Sequence, residues 1–419
     1  MNYNFSNLIQ WGIKLWLLVF PWQTLLIIRQ VEKNGSLWSA AGLALPLSAV
    51  FLGLIGLLIL MQVRIKPKAW QLGLITFLIF SVWRAPDSLL GLQWLFFWTL
   101  GGILCFFGKN FISHKNFLQY LALGSVLPIA LGLYQFFTQT NFSSTWLGLA
   151  AIPSFMPGAP VIVSEWGRWL RASGPFPHPN IFAGYLVIVM VAIFSGLRNN
   201  FFTKKWHWFF YLLVIFLITV LLTTFSRSGI LGLALLIGLE FFYFKKDTVL
   251  ETRLLLWIVC LTAAVVMRLL WPIYKGRVFL SQPAPQERVA VTERITGISE
   301  SIVIWKKHWL LGVGPGNYTV SLAKLQPNLA GYELQPVHNV FFLFLVEWGS
   351  LGLLLVLGGM VWLFKNGLIK LKFLLPCLPL LPLLLFDHYL YDIWAGIIIL
   401  AIHISSTVYP HLGLTKPKN

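Results

Sequence analysis

The chain has 419 residues, of which 58% are hydrophobic, 16% aromatic and only 11% charged, whereas a soluble globular chain carries about 25% charged residues. This excludes a soluble multidomain enzyme, a disordered chain and a zinc-finger or similar nucleic-acid-binding module, and it defines a polytopic membrane protein. The balance of 31 Lys and Arg against 13 Asp and Glu, formally +18, points to basic cytoplasmic connections and an anionic ligand, with no nucleic acid partner.

Apolar runs bounded by charges, Gly or Pro predict helices at 11–28, 37–62, 70–83, 89–107, 117–137, 180–197, 206–224, 228–244, 254–271, 338–364, 373–386 and 391–408. Twelve spans of about 20 residues use roughly 240 residues, leaving room for two sizeable loops. The chain thus divides into spans one to five over 1–137, a first outer loop at 138–179, spans six to nine over 180–271, a large outer loop at 272–337, and spans ten to twelve over 338–419. No small-residue cleavage site follows the short polar start, so no removable signal is expected.

Alternate connections hold Arg64, Lys66, Lys68, Lys109, Lys115, Arg198, Lys204, Lys205, Lys245, Lys246, Arg253, Lys365, Lys370, Lys372, Lys416 and Lys418. The short connections of the other set hold only Arg29, Lys33, Arg84 and Arg227. The positive-inside rule then turns both termini toward the cytoplasm and the two long loops outward. Within the second loop, Ile295, Ile298, Ile302, Trp305 and Trp309 recur at helical spacing and predict an amphipathic helix over 293–311. Cys105, Cys260 and Cys377 lie in apolar runs without metal-ligand spacing, so neither a disulfide framework nor a metal cluster is expected.

Four outward motifs carry candidate chemistry. Arg171-Ala-Ser-Gly-Pro-Phe-Pro-His178-Pro-Asn180 opens the sixth span; a turn-rich helix start with Asn180 as cap would leave Arg171 unexplained. Thr223-Thr224-Phe225-Ser226-Arg227-Ser228-Gly229 is a tight outer turn whose arginine must pair, snorkel or bind an anion. Glu293-Arg294 leads to Gly312-Val313-Gly314-Pro315-Gly316-Asn317-Tyr318, where the glycines suit either a backbone anion nest or a plain turn. Pro336-Val337-His338-Asn339 opens the tenth span, and a histidine suits general-base work near neutrality. His388, in Asp387-His388-Tyr389-Leu390-Tyr391-Asp392, also faces outward, with flanking aspartates that can simply pair with it. The chain has no Walker loop, dinucleotide fingerprint or Cys/His cluster, and carboxylates are scarce, so no cofactor or metal is expected.

These four motifs, in this order, resemble the O-antigen ligase/polymerase superfamily of bacterial envelope glycosyltransferases over about 120–395. The resemblance implies an all-α integral membrane protein: a GT-C-like bundle of about twelve transmembrane helices with a large extracytoplasmic loop. It implies transfer of a glycan from an undecaprenyl-diphosphate carrier to a glycan, lipid or protein acceptor at the outer face of the bacterial cytoplasmic membrane. By the same resemblance Arg171, Arg227 and Arg294 contact the diphosphate and His338 is the base on the acceptor hydroxyl, supported by Asn180, Ser226, Gly314 and Asn339. Two positions depart from the family pattern: Ile298 stands where many relatives have Trp, and His308-Trp309 where they have His-Pro. A metal-independent, inverting ligase is the expected activity. A polymerase on the same donor and a bicarbonate-like anion transporter are the alternatives; polar motifs at span ends rather than in broken helices at mid-membrane favour surface chemistry over transport.

Overall fold

The computed structural model describes residues 3–63, 69–156, 158–164, 166–244, 250–278, 285–366 and 374–407. The basic stretches holding Arg64, Lys66, Lys68, Lys245, Lys246, Lys370, Lys372, Lys416 and Lys418 lie outside them.

Helix α1 (Tyr3–Val19) stops before Pro21, and the chain then runs through β1 (Leu25–Arg29), β2 (Glu32–Lys33), β3 (Ser36–Leu37) and β4 (Leu43–Pro46). Strands β1 and β4 pair antiparallel, Leu25 opposite Pro46, and β2 pairs with β3. Four helices follow, α2 (Leu47–Gln62), α3 (Ala69–Arg84), α4 (Ser88–Phe107) and α5 (His114–Gly124), then α6 (Val126–Thr138). A hairpin of β5 (Val161–Ser164) and β6 (Gly167–Leu170) precedes α7 (Pro179–Arg198), α8 (His207–Thr223), α9 (Arg227–Gly238) and α10 (Leu250–Leu269). Next come α11 (Trp271–Val278), α12 (Pro285–Lys307), α13 (Tyr318–Leu325) and α14 (Val340–Lys365). The chain closes with α15 (Leu381–Phe386), α16 (Tyr389–Asp392) and α17 (Trp394–Thr407).

Helix α7 is the axis of the core. Its residues from Ile181 to Leu197 are all buried, and it packs against α5, α8, α9 and α17. A helix that is apolar all round and buried all round is what a membrane bundle places at its centre.

The architecture corrects the expected bundle of about twelve spans. Among the described residues, six helical segments are long and apolar enough to cross a membrane: Ser88–Asn110, His114–Thr138, Pro179–Arg198, Lys204–Thr223, Leu250–Leu269 and Val340–Lys365. The apolar helices Leu47–Gln62, Trp70–Arg84, Leu375–Phe386 and Trp394–Thr407 are shorter than the roughly 20 residues that span a 30 Å hydrocarbon core at 1.5 Å per residue. The physical reasons are local. Pro21 ends the first run, and its β-branched tail becomes β1. Pro46 divides the second run into β4 and α2. The run at 228–244 stays α-helical only to Gly238 and continues as a π-helical turn, Leu239–Tyr243. Pro376, Pro379 and Pro382 break the run at 373–386 into a 3₁₀ stretch and α15.

The expected large extracytoplasmic loop is also corrected. Its described part is built largely from α11, α12 and α13, and no GT-C-like bundle with such a loop is seen among the described residues. The amphipathic segment falls within α12 and beyond its end, with Ile295, Ile302 and Trp309 exposed while Ile304 is buried.

Helix α14 is not continuous. Gly349 takes φ +63° and opens it, and the segment before α13 fills the gap. Val313 and Gly314 N–H donate to the Val346 and Glu347 carbonyls (both 2.9 Å), while Ser350 and Leu351 N–H donate to the Trp309 and Leu310 carbonyls (2.7 and 3.0 Å). A Cβ on Gly349 would lie 2.4 Å from the Leu310 carbonyl oxygen, so only glycine permits this approach.

Candidate active site

The motifs at Arg171 and Arg227 meet through the backbone. Ala172 N–H donates to the Thr223 carbonyl (3.1 Å), and Arg171 Nε donates to the Thr224 carbonyl (2.8 Å). The turn that follows is strained: Phe225 is fully buried in a left-handed conformation (φ +50°), held against Tyr274 at 4.7 Å between ring centroids. A bulky residue there is a backbone outlier. Ser226 caps α9, its Oγ accepting the Gly229 N–H at 3.3 Å, and Arg227 begins that helix with its side chain exposed.

Asn180 does not cap α7. That position belongs to His178, whose Nδ1 accepts the Asn180 N–H at 3.1 Å, with Pro179 in the first helical turn. Asn180 is thereby released to bridge two charges. Its Oδ1 accepts from Arg171 at 2.7 Å, and its Nδ2 donates to Asp387 Oδ2 at 2.6 Å.

The other Asp387 oxygen faces His338. His338 Nδ1 lies 3.6 Å from Asp387 Oδ1, beyond hydrogen-bond length, and has no hydrogen-bond partner among the described residues. His338 is held in place by its neighbour: Asn339 caps α14, accepting the Phe341 and Phe342 N–H groups (2.9 and 3.1 Å), and its Nδ2 donates to the Leu385 carbonyl (3.0 Å), two residues before Asp387. The His388 ring stands 5.3 Å from that of His338, with Nδ1 2.8 Å from Asp392.

The electrostatics follow from this crowding. Burial by itself would raise the Asp387 carboxyl, but His338 beside it and the charge of His388 hold it well below the usual carboxylate range. Burial works against charge on His388, and Asp392 and Asp387 outweigh it, so its pKa is raised. Although the His178 side chain is exposed at one edge, close packing and the charge of Arg171 push it down to about 3. A neutral His178 agrees with an Nδ1 that accepts a hydrogen bond. The ligand atoms of His338, Asp387 and His388 lie within 4.8 Å of one another, so these three are the residues that could hold a metal ion.

Arg294 belongs to the same neighbourhood through α12. Gly297, one turn further along that helix face, lies against Val337, where a Cβ would meet the valine at 3.5 Å. The Nε of Arg294 is buried and has no hydrogen-bond partner among the described residues.

Gly314 has a different place. The glycine run does form a nest, but the acceptor in it is the chain's own: the Glu347 carboxyl group accepts the Gly316 N–H (2.9 Å), the Tyr318 N–H (3.2 Å) and the Tyr391 hydroxyl (2.8 Å). Gly314 (φ +98°) sits against Ser81 and Ala85, where a side chain would collide with Ala85 at 2.6 Å. Asn317 clamps the same turn to Asp87 at both ends of its amide, at 2.7 and 3.0 Å.

Thus Arg171, Asn180 and His338 come together, Arg227 and Ser226 occupy the adjoining turn, Asn339 anchors His338, Arg294 approaches along α12, and Gly314 lies in a separate structural turn. Sequence reasoning left Asp387, His388 and Asp392 outside the site. Their signal was present: two carboxylates bracketing a histidine within six residues, in a chain with only 13 acidic residues.

A helix-rich, multi-pass membrane protein carrying a basic cluster with imidazole and carboxylate groups is the class these observations define. Residues 212–357, roughly a third of the chain, match the family model described as O-antigen ligase, consistent with the broader ligase/polymerase superfamily that the motifs resemble. The matched stretch contains Arg227, Arg294 and His338, whereas Arg171, Asn180 and Asp387 reach the site from outside it. No curated protein matches the chain.

Proposed function

We propose that the chain is a membrane glycosyltransferase of the O-antigen ligase type, taking a glycan from undecaprenyl diphosphate and passing it to an acceptor hydroxyl. The reaction takes place at the outer face of the bacterial cytoplasmic membrane, with both termini cytoplasmic. The observation that carries this reading is the chain of contacts from Arg171 through Asn180 and Asp387 to His338, in a protein whose residues 212–357 match the O-antigen ligase model.

Asp387 faces Nδ1 of His338, which orients the imidazole so that Nε2 is its basic nitrogen. Nε2 takes the proton of the acceptor hydroxyl, and the oxygen attacks the anomeric carbon. The bond from that carbon to the diphosphate oxygen breaks, and its electron pair leaves with the diphosphate. A single displacement inverts the anomeric configuration. Charge developing on the diphosphate is met by Arg171, Arg227 and Arg294, since arginine offers bidentate donors as well as charge. Scarce carboxylates favour this metal-independent form, in which Asp392 is the hydrogen-bond partner of His388 and Asp387 the charge that faces His338.

The spacing of His338, Asp387 and His388 favours one second reading, in which the three hold a divalent cation. Transfer from host-derived undecaprenyl-diphosphate glycan by purified wild type, His338→Ala and Arg227→Ala, with and without EDTA, tests both. Activity in wild type alone, unaffected by EDTA, is the expected result. Activity abolished by EDTA and restored by one cation selects the metal form, and full activity in His338→Ala removes the proposed base. The product separates a ligase from a polymerase.

A further inference from the structure

Beside the site lies a cavity of about 690 Å³, in the size range of small-ligand sites. One wall is formed by His388 and Asp392, so the cavity opens on the candidate centre; β1, β4 and the start of α4 supply others. Its arginine, Arg29, is already held by Asp87 (2.6 Å) and the Ala41 carbonyl (2.8 Å), so the wall is not set up for an anion.

The polar lining combines Glu347, His388 and Asp392 with hydroxyl groups such as Ser173 and Thr319 and with several amides, three of which are pinned at one end. Gln23 Nε2 donates to the Phe20 carbonyl at 2.9 Å and Gln335 Nε2 to the Tyr332 carbonyl at 2.8 Å, which leaves both Oε1 atoms as acceptors. Gln93 Oε1 accepts the Ala44 N–H at 3.1 Å, which leaves its NH₂ as a donor. Two more lining residues are about nine-tenths buried with a polar atom lacking a hydrogen-bond partner among the described residues: the Trp38 indole N–H and Asn141 Oδ1. A buried donor or acceptor left unpaired is destabilising, and a small turn of either side chain toward the cavity would pair it with a ligand. A hydroxyl group both donates and accepts, so it matches this mixed set, while Trp38 and Trp94 add apolar wall for the C–H groups of a sugar.

We infer that this cavity binds a short, uncharged, hydroxyl-rich carbohydrate segment and presents it to the His338–Asp387 centre. The inference rests on the transferase reading and adds to it the place where sugar is recognised. The carbohydrate is either the glycan of the donor or the terminal sugars of the acceptor, and both have the same chemistry.

The test measures binding to the full-length chain in nanodiscs of three probes: glycan released from the host lipid carrier, host acceptor glycan, and undecaprenyl diphosphate without sugar. Trp38→Phe keeps an aromatic ring but removes the N–H together with the fused pyrrole ring; Asn141→Leu removes the unpaired oxygen. Neither variant loses an internal hydrogen bond, so both should fold; a modest drop in melting midpoint is expected only of Trp38→Phe, which empties buried volume. Each should weaken binding of one of the two glycans about fivefold or more, with undecaprenyl diphosphate held within about twofold. Which glycan weakens identifies the donor or the acceptor as the source, and the corresponding KM in the transfer assay should rise in step. Unchanged glycan binding in both variants overturns the inference. So does a loss confined to undecaprenyl diphosphate, which would make the cavity a lipid-chain site. Wild type that binds undecaprenyl diphosphate and neither glycan overturns the cavity assignment alone; wild type that binds glycan and not undecaprenyl diphosphate leaves the cavity standing and removes the transferase reading.

Discussion

The glycine nest around Glu347 and the cluster around His338 are both polar regions buried at helix ends, and they differ in how their hydrogen bonds are closed. In the first, the carboxylate, two backbone N–H groups, the Tyr391 hydroxyl and the Trp348 indole (2.7 Å from Tyr391) form a closed set. In the second, His338 Nδ1 stands 3.6 Å from Asp387, and Arg294 Nε has no hydrogen-bond partner among the described residues. A closed polar set fixes structure; an incomplete one is poised to accept a ligand. The glycine-rich motif, whose sequence suited an anion nest, has its acceptor built in.

The sharpest way to break this comparison is His338→Ala. Transfer should fall by about 10²–10⁴-fold, the usual contribution of a general base, while the thermal melting midpoint in detergent stays near wild type. The reverse pattern is expected of Glu347→Ala, which strands two N–H groups and a hydroxyl at about 1–3 kcal/mol each; a marked drop in the melting midpoint should account for whatever activity is lost. If Glu347→Ala instead melts normally and loses transfer, the nest belongs to the reaction and the distinction fails.

A smaller effect is expected from Asp387→Asn. Losing the charge that faces His338 at 3.6 Å should lower kcat about tenfold, equivalent to about 1.4 kcal/mol, with donor binding in a titration little changed. The smallest effect concerns pH. The pKa of His388 is raised in the folded chain by Asp392 and Asp387, so its stabilising contribution is fully present below the unfolded value of about 6.5 and is lost as pH rises through the folded one. Melting midpoints across pH 6–9 should therefore decline more steeply in wild type than in His388→Gln, and parallel curves would contradict the pairing.

What the sequence disclosed follows the physics of each signal. Apolar runs reported helices apolar enough for a membrane, but not their length, because a proline such as Pro46 or Pro379 redirects the backbone without lowering hydropathy. Turn motifs located Arg171, Arg227 and His338, since Gly, Pro and Ser mark helix ends locally. The link from Arg171 to Asp387 joins residues more than 200 positions apart through one Asn180 side chain, and no local pattern records it. His388 was visible only as a histidine among aspartates, an arrangement equally suited to a surface ion pair. The break at Gly349 was hidden inside an otherwise uninterrupted apolar stretch.

That break bears on how the chain is made. The stretch opened at Gly349 becomes a fully bonded span only when residues 309–314 are docked beside it, because its loose carbonyl and amide groups find their partners there. Residues 309–314 leave the ribosome before 340–365, so the splint is synthesised ahead of the helix it completes. Insertion and folding are therefore coupled at this point: the last long span is assembled against an earlier piece of chain rather than delivered to the bilayer as a finished helix.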